Sequence, residues 1–526
     1  MHSNQNQKPQ KSITMKRFAQ NLLLLLLLPL LIHAQEKVDL EMIYKIKQEG
    51  LKNSQIENIS FYLTDYSGAR LTGSEGIQRA REWIVGEMKE FGLENVRIES
   101  FGEFGKGWNN RKSYVALTSP YYQTFIGTPK AWTSGTDGLQ KAEVVLIRID
   151  EESDLEQYKG KLAGKIVTTD DISEYEVSFD PLAKRYTNEE LEERAMASSP
   201  RQRGDWNEAD IARWRKRRQL GNLTRDFFRE EGVLAVLTGS GQFGTVRSSG
   251  SSYKVDDDPG VPEMLLTTEH HGRIVRLLQH DVKVEVEIEI DNEFNTNDTN
   301  GYNVIGEIPG TNKELKNEVV MIGAHLDSWL GGTGAADNAS GCIVMMEAMR
   351  ILKAIGVELK RTVKIGLWGG EEQGLYGSRG YVRNYLGDRQ TMELKPGHKK
   401  FSAYYNVDNG TGKIRGIYLQ ENDMVRPVFE AWFEPFKDMG ASTISIRRTG
   451  GTDHLAYDAV GLPGFQFIQD PIEYRRGYHT NMDTYERLLM NDMKHNAVIV
   501  AALVYHTAMR DNLLPRKPLP IPMDEK

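Results

Sequence analysis

Cysteine is almost missing from this chain: Cys342 is the only one among 526 residues. No internal disulfide can form, so stability must come from packed cores and from any metal the chain binds. The lone thiol sits beside Ile343, Val344 and Met345 in a helix-prone stretch. There it is expected to act as a small buried hydrophobe, not a nucleophile. A basic surplus is also lacking. The net charge is −8, whereas a nucleic-acid binder carries an excess of Lys and Arg, so no nucleic-acid partner is expected. Long apolar runs are scarce. Residues 22–32 form a run of 11 interrupted by Pro29, and 497–505 a run of nine; a membrane-spanning helix needs roughly 20. His-Glu-x-x-His and Gly-x-Ser-x-Gly are both absent, which removes the helical zinc-protease and nucleophile-elbow chemistries.

The first 34 residues read as an export signal. Lys16 and Arg17 precede the run 22–32, and His33-Ala34 then gives way to polar Gln35-Glu36-Lys37. Basic, apolar and small-residue regions in that order predict cleavage after Ala34; the alternative is an uncleaved anchor. This segment holds four bases (Lys8, Lys11, Lys16, Arg17) and no acid, so the mature chain would carry −12, which favours solubility. No cysteine follows to carry a lipid. A secreted or periplasmic protein is expected, with no stable membrane insertion after cleavage. The oligomeric state stays open.

At 526 residues the chain is too long for one ordinary core, and two or three domains are expected. Residues 38–100 read as helical. Gly73-Ser74-Glu75 opens an amphipathic run with Ala80, Trp83, Ile84 and Met88 on one stripe, stopped by Gly92. A strand is expected at 96–101. Between 116 and 290 the pattern changes to short strands (143–149, 165–169, 233–238, 282–290) separated by Gly-, Ser- and Asp-rich turns. This reads as a separate β-rich domain inserted between a first segment of the main domain, 38–115, and a second, 296–515. Within it, 188–231 is a charged, helix-prone block with a basic run at 213–218. Such runs are commonly solvated helix faces; the sharper alternative is a lid or docking patch.

From 318 onward the pattern is strand, loop, helix, repeated: strands at 318–323, 362–368, 401–407 and 464–468, helices at 339–353 and 487–510. The fold class is α/β, a mostly parallel mixed sheet with helices on both faces. In such sheets ligands collect at the C-terminal strand ends, and the chemistry-bearing residues follow that rule. They are His325 and Asp327 in Gly-Ala-His-Leu-Asp, Asp337 in Ala-Ala-Asp-Asn-Ala-Ser-Gly, the pair Glu371-Glu372, Asp408, and His479 in Gly-Tyr-His-Thr-Asn-Met-Asp-Thr. Two imidazoles and three carboxylates suffice for two zinc ions if one carboxylate bridges. Glu371, next to a ligand, is placed to collect the proton of an activated water. Asp327, two residues from His325, is a fair partner to fix its tautomer.

These motifs resemble the co-catalytic zinc exopeptidases, the family of bacterial leucyl aminopeptidases, aminopeptidase Y and the glutamate carboxypeptidases. The stretch from His325 through Gly374, with His-Leu-Asp-Ser-Trp and Glu-Glu-Gln-Gly, is most similar to the plasma glutamate carboxypeptidase branch. The resemblance covers 38–115 and 296–510, and 116–290 is similar to the protease-associated domain the family often carries. It implies two zinc ions, with Asp337 bridging, His325 and Asp408 on one metal and Glu372 and His479 on the other. It also implies Glu371 as general base, a cis peptide after Asp337, and a peptide or dipeptide substrate. The charged block 188–231 has no place in that pattern.

An aminopeptidase is favoured over a carboxypeptidase or dipeptidase. Asp470 and Glu473 are candidates for a substrate amine, and Arg447, Arg448, Arg475 and Arg476 for a substrate carboxylate. A glutaminyl cyclase-like acyl transferase with one zinc, and a binding protein that keeps the fold, are the rivals. The Asp453-His454 pair could compete with His479 but is assigned a pocket or structural role. The Gly239-Ser240-Gly241-Gln242-Phe243-Gly244 fingerprint is followed by no helix and is set aside for dinucleotides.

Overall fold

The structure is a computed structural model that describes Met1, 36–197 and 208–523. The expected signal segment 1–34 therefore lies, apart from Met1, outside the described residues. Among them, no helix is long and apolar enough to cross a membrane.

Eight strands form the sheet that carries the site: β1 (Glu94–Glu103), β2 (Asn300–Ile308), β3 (Val319–His325), β4 (Thr362–Trp368), β5 (Phe401–Asn406), β6 (Ile414–Tyr418), β7 (Thr443–Ser445) and β8 (Gly464–Gln469). Their order is β1-β2-β4-β3-β5-β8-β6-β7. The central four, β4-β3-β5-β8, run parallel. β1, β2 and β6 pair antiparallel at the flanks. Alternation along β3 sends Val320, Ile322 and Ala324 into one core and Met321 into the other, because successive side chains leave a strand on opposite faces. The first core is closed by helices Leu40–Lys52, Ser340–Ala354 and Met490–Met509, the second by Tyr376–Tyr385 and His454–Asp458. Both faces are thus covered, as the continuous apolar character of these strands requires. Truncating Ile322, fully buried, to Ala is worth about 2–5 kcal/mol of stability.

Two details position the site. Gly323 permits the approach of β4 and β5: a Cβ there would stand 2.4 Å from the Gly366 carbonyl oxygen and 2.8 Å from both Trp368 Nε1 and Tyr404 Oη. Helix Ser340–Ala354 is buried on nearly all sides from Ser340 to Leu352. Its polar residues survive by pairing: Arg350 donates to Glu347 at 2.8 Å and to Glu49 at 2.6 Å.

A second eight-stranded sheet runs Gln123–Thr124, Gly107–Ser119, Glu285–Asn295, Gln140–Ile147, Ile166–Thr169, Ala235–Gly239, Glu263–Leu266, Gly127–Pro129. Its strands begin at Gly107. Polar Asn109, Asn110, Arg111 and Lys112 hide the start of that strand from a hydrophobic-alternation reading. The charged block folds as helices Asn188–Ala195 and Glu208–Glu230, with the basic run 213–218 exposed. The shorter helix rests on the first sheet's edge, where Ser445 donates to the Arg194 carbonyl at 2.5 Å and Arg194 reaches Tyr418 Oη at 3.0 Å.

Candidate metal centre

His325 ends β3, Glu371 and Glu372 follow β4, Asp408 follows β5, and His479 lies in the loop after β8. Asp337 sits in the bent turn Ala335–Ala339 that leads into helix Ser340–Ala354. The structure brings these residues together. Asp337 stands between the two imidazoles, with Oδ1 3.3 Å from His325 Nε2 and Oδ2 3.0 Å from His479 Nε2. Asp408 Oδ1 lies 3.3 Å from the same His325 nitrogen, and Glu372 Oε2 lies 2.9 Å from His479 Nε2. One carboxylate, Asp337, thus stands between two histidine–carboxylate pairs. Glu371 Oε2 faces them 3.9 Å from His325 Nε2. Ligand atoms of His325, Asp337 and Glu372 all fall within 4.8 Å of one another.

Buried neighbours hold this arrangement. The Asp483 carboxylate accepts the amides of Ala336 (2.6 Å) and Asp337 (3.0 Å). The Asp337–Asn338 peptide is cis, and the Asn338 side chain donates to the Val407 carbonyl at 2.9 Å, one residue before Asp408. Arg70, wholly buried, donates to the carbonyls of Leu63, Leu326, Thr333 and Gly334. Asp327 does its work differently from the expectation. Its carboxylate accepts the amides of Glu371 (3.1 Å) and Glu372 (3.2 Å), fixing the turn that presents both glutamates. The group against His325 Nδ1 is the Asp327 main-chain carbonyl, at 3.0 Å, while the carboxylate stands at 3.8 Å. Asp483 was visible in the sequence only as part of the Tyr-His-Thr segment. Arg70 gave no signal there at all.

The electrostatics are those of acids crowded out of water. Burial, then repulsion from Asp337, lifts the Glu372 carboxyl to about 7. Burial also pushes Glu371 well above the carboxylate range. Burial alone would lower the His479 imidazole, but its hydrogen bonds to Asp337 and Glu372 prevail and raise it to about 10. Burial likewise opposes protonation of His325, yet Asp408 and Glu371 hold its pKa well above the ordinary value. Burial lifts Asp483 to about 7. Protons are thus held where cations would suit, and Glu372 Oε1 is buried with no hydrogen-bond partner. An N/O donor set of this kind, with an orphaned carboxylate oxygen, fits divalent metal.

The cavity over these residues measures about 560 Å³, and its walls include Gln373, Arg379, Leu455, Tyr474 and Tyr478. Most of the groups weighed for reading a substrate terminus are engaged elsewhere. Asp470 is buried and bonded to Arg185 and Arg415, each at 2.9 Å. Glu473 holds Arg487 and Arg476. Arg447 donates to the carbonyls of Glu193 and Met196, and Arg448 faces Asp458 at 3.5 Å. His454 turns its Nε2 to the Thr449 carbonyl at 3.2 Å, and burial holds its imidazole down at about 4. Arg379 is the cation on the cavity wall, with Nη1 donating to the Gly374 carbonyl at 3.0 Å. On an exposed helix position it looked like ordinary surface.

Residues 303–504, which contain every one of these candidate ligand positions, match Peptidase family M28. This part of the chain is similar to the M28 peptidases. Beyond it, the chain is similar to carboxypeptidase Q of Mus musculus, 24% identical over 458 residues and covering 86% of both chains. It is also similar to aminopeptidase YwaD of Bacillus subtilis, 29% identical over 207 residues, 38% of this chain and 43% of the other. Two solved structures share the fold. A peptidase M28 precursor from Shewanella amazonensis superposes with a TM-score of 0.63 at 23% identity, over 91% of this chain and 98% of that one. A zinc aminopeptidase from Bacillus subtilis gives 0.55 at 20% identity, over 87% and 95%. The matched residues begin within β2 and take in the rest of the first sheet, while β1 and the second sheet lie outside them.

Proposed function

We propose that this chain is an exported di-zinc exopeptidase that cleaves short peptides or dipeptides. The observation that carries this reading is the shared carboxylate, Asp337, with one oxygen toward each histidine. His325 and Asp408 would hold one zinc, Glu372 and His479 the other, and Asp337 both. When bound, such a pair polarises a peptide carbonyl and lowers the pKa of a water from 15.7 to about 7. The chain's own part is to orient and to move a proton. The Asp327 carboxylate fixes the Glu371-Glu372 turn, so Glu371 Oε2 faces the cleavage point. Burial makes Glu371 a stronger base than a surface glutamate. It takes the proton from the attacking water and delivers it to the departing amine. The second sheet, spanning the residues read as an inserted protease-associated domain, would help shape the approach of substrate.

Of the two directions, the aminopeptidase reading loses support because Asp470 and Glu473 are spent on arginines. Arg379 favours the other: a cation on the cavity wall suits a substrate with a free carboxylate, as in a dipeptide or at a C-terminus. Carboxypeptidase Q, the relative that matches along most of the chain, has a name that agrees.

Three measurements test the proposal. Metal analysis should find two zinc ions per chain, where a glutaminyl cyclase-like enzyme would hold one. Chelation should abolish hydrolysis, and added zinc should restore it. Glu371→Gln should lower kcat by about 10²–10⁴-fold with metal content unchanged; parent-like turnover would remove Glu371 as the base.

A further inference from the structure

His479 is a ligand in an uncomfortable place. Its φ is +60°, the left-handed region that a residue with a Cβ enters only when its surroundings impose it. Its own loop gives limited help: Thr480 donates to the Gly477 carbonyl through its amide at 3.1 Å and its hydroxyl at 2.6 Å. The remaining constraint comes from the second-sheet unit, from the loop between strands Ala235–Gly239 and Glu263–Leu266. Ser248 donates its amide to the His479 carbonyl at 2.7 Å. Arg247 and Thr480 form an antiparallel bridge. The Asn481 amide donates to the Val246 carbonyl at 3.1 Å, and the Val246 amide returns the bond to Asn481 Oδ1 at 2.8 Å. Arg247 lies over the Tyr478 ring at 4.6 Å and donates to Tyr478 Oη at 3.0 Å.

The same loop is fastened to its own unit. The Ala131 amide donates to the Ser249 carbonyl at 3.0 Å, and the Ser251 amide donates to the Ala131 carbonyl at 2.8 Å. A Cβ on Gly250 would stand 2.7 Å from the Trp132 ring and 3.1 Å from Trp329, and Trp329 meets the His479 ring edge-on at 6.1 Å. The glycine-rich stretch that leads in, 239–244, thus supplies the turn that delivers a short ladder to a metal ligand.

We infer that 246–248 of the second-sheet unit position His479, so that the Glu372–His479 half-site takes up its ion at full affinity only with this ladder in place. Arg247 is a positioning residue, acting on the imidazole directly, with Nη2 3.4 Å from His479 Nδ1, and also through the backbone of its loop and through Tyr478. The inference rests on the di-zinc reading above. It makes the second sheet part of the catalytic centre and not only a wall of the approach.

The test compares zinc affinity for each of the two ions, by chelator competition and native mass spectrometry, in the full-length parent, Arg247→Ala and Asn481→Ala. The two variants break the ladder from opposite sides. Each is expected to weaken one ion by roughly 10–100-fold, the loss usual when a group supporting a metal ligand is removed, while the other ion keeps its parent affinity. Circular dichroism at saturating zinc checks folding. If Arg247→Ala does not fold, Asn481→Ala decides. A two-ion parent whose folded variants keep both affinities, or lose both equally, overturns this inference alone. A parent that binds fewer than two ions overturns the di-zinc reading, and this inference falls with it.

Discussion

The two halves of the centre are built in contrasting ways. His325 is the last residue of a strand paired on both sides, and it is 1% exposed. Its partner Asp408 stands two residues past Asn406, the end of the neighbouring strand β5. His479, by contrast, is 21% exposed at the side chain and belongs to an irregular loop that is bonded to residues 246–248 of the second-sheet unit. Glu372 shares that half and depends on the Asp327 carboxylate for the position of its turn. One half is set by the sheet itself, the other by contacts between loops. The lesson is that a symmetric list of ligands conceals unequal stiffness, and that stiffness is expected to appear as unequal metal affinity.

The sharpest way to break this contrast is to remove what the halves share. Asp337→Ala should release both ions and bring hydrolysis to background. Loss of one ion only, read by metal content, would show that Asp337 does not bridge. A smaller effect is expected from Asp483→Asn, which keeps one acceptor for the Ala336 and Asp337 amides but turns an N–H against the other. Metal affinity should fall by about 10–100-fold, for both ions together, since the damage reaches them through Asp337. A selective loss would place the weakness elsewhere.

The pH dependence of the metal-free chain sharpens the comparison further. Glu372 and Asp483 are lifted to about 7 in the folded state, above their unfolded values, so the folded state binds more protons than the unfolded one. His479, raised to about 10, contributes stability that is complete below its unfolded value and is lost as pH climbs toward 10. Both effects have one sign, and above about 7 the buried histidines that oppose them, such as His454 held down at about 4, are neutral in both states: metal-free protein should lose thermal stability as pH rises from about 7 to 9. With zinc bound the trend should reverse below neutrality, because protons compete for the same atoms. Melting curves with and without chelator check both. The smallest effect is at the rim. Arg379→Gln should raise KM about tenfold for dipeptides with a free carboxylate and leave their amides unchanged. Equal KM changes for both would remove Arg379 as the carboxylate contact.

Much of this was legible in the sequence, for physical reasons. Strands β3, β4, β5 and β8 are buried on both faces and so read as short apolar runs; His325, Glu372 and Asp408 lie at or soon after the end of one, Asp337 at the mouth of the next helix, and His479 farther along, past helix Tyr474–Gly477. The rest was hidden where meaning is not local. Arg70 and Asp483 act on main-chain groups far away in sequence. Asp327 was recognised, but a carboxylate two residues from a histidine suggests contact through the side chain, and no pattern reveals that the carbonyl makes it instead. Strand Gly107–Ser119 was masked by its solvent-facing polar stretch. Asp470 and Glu473 looked available because the arginines that occupy them cannot be inferred from spacing.

One consequence follows from the single cysteine and the spread of the ligands. Zinc seated between His325 and His479 would knot the ends of a segment more than 150 residues long, and Asp337, Glu372 and Asp408 would tie further loops within it. A covalent staple gains its value from closing just such loops in the unfolded chain. Here the clasp would be ionic and removable. Zinc supply would then govern how long the protein endures as well as how fast it works.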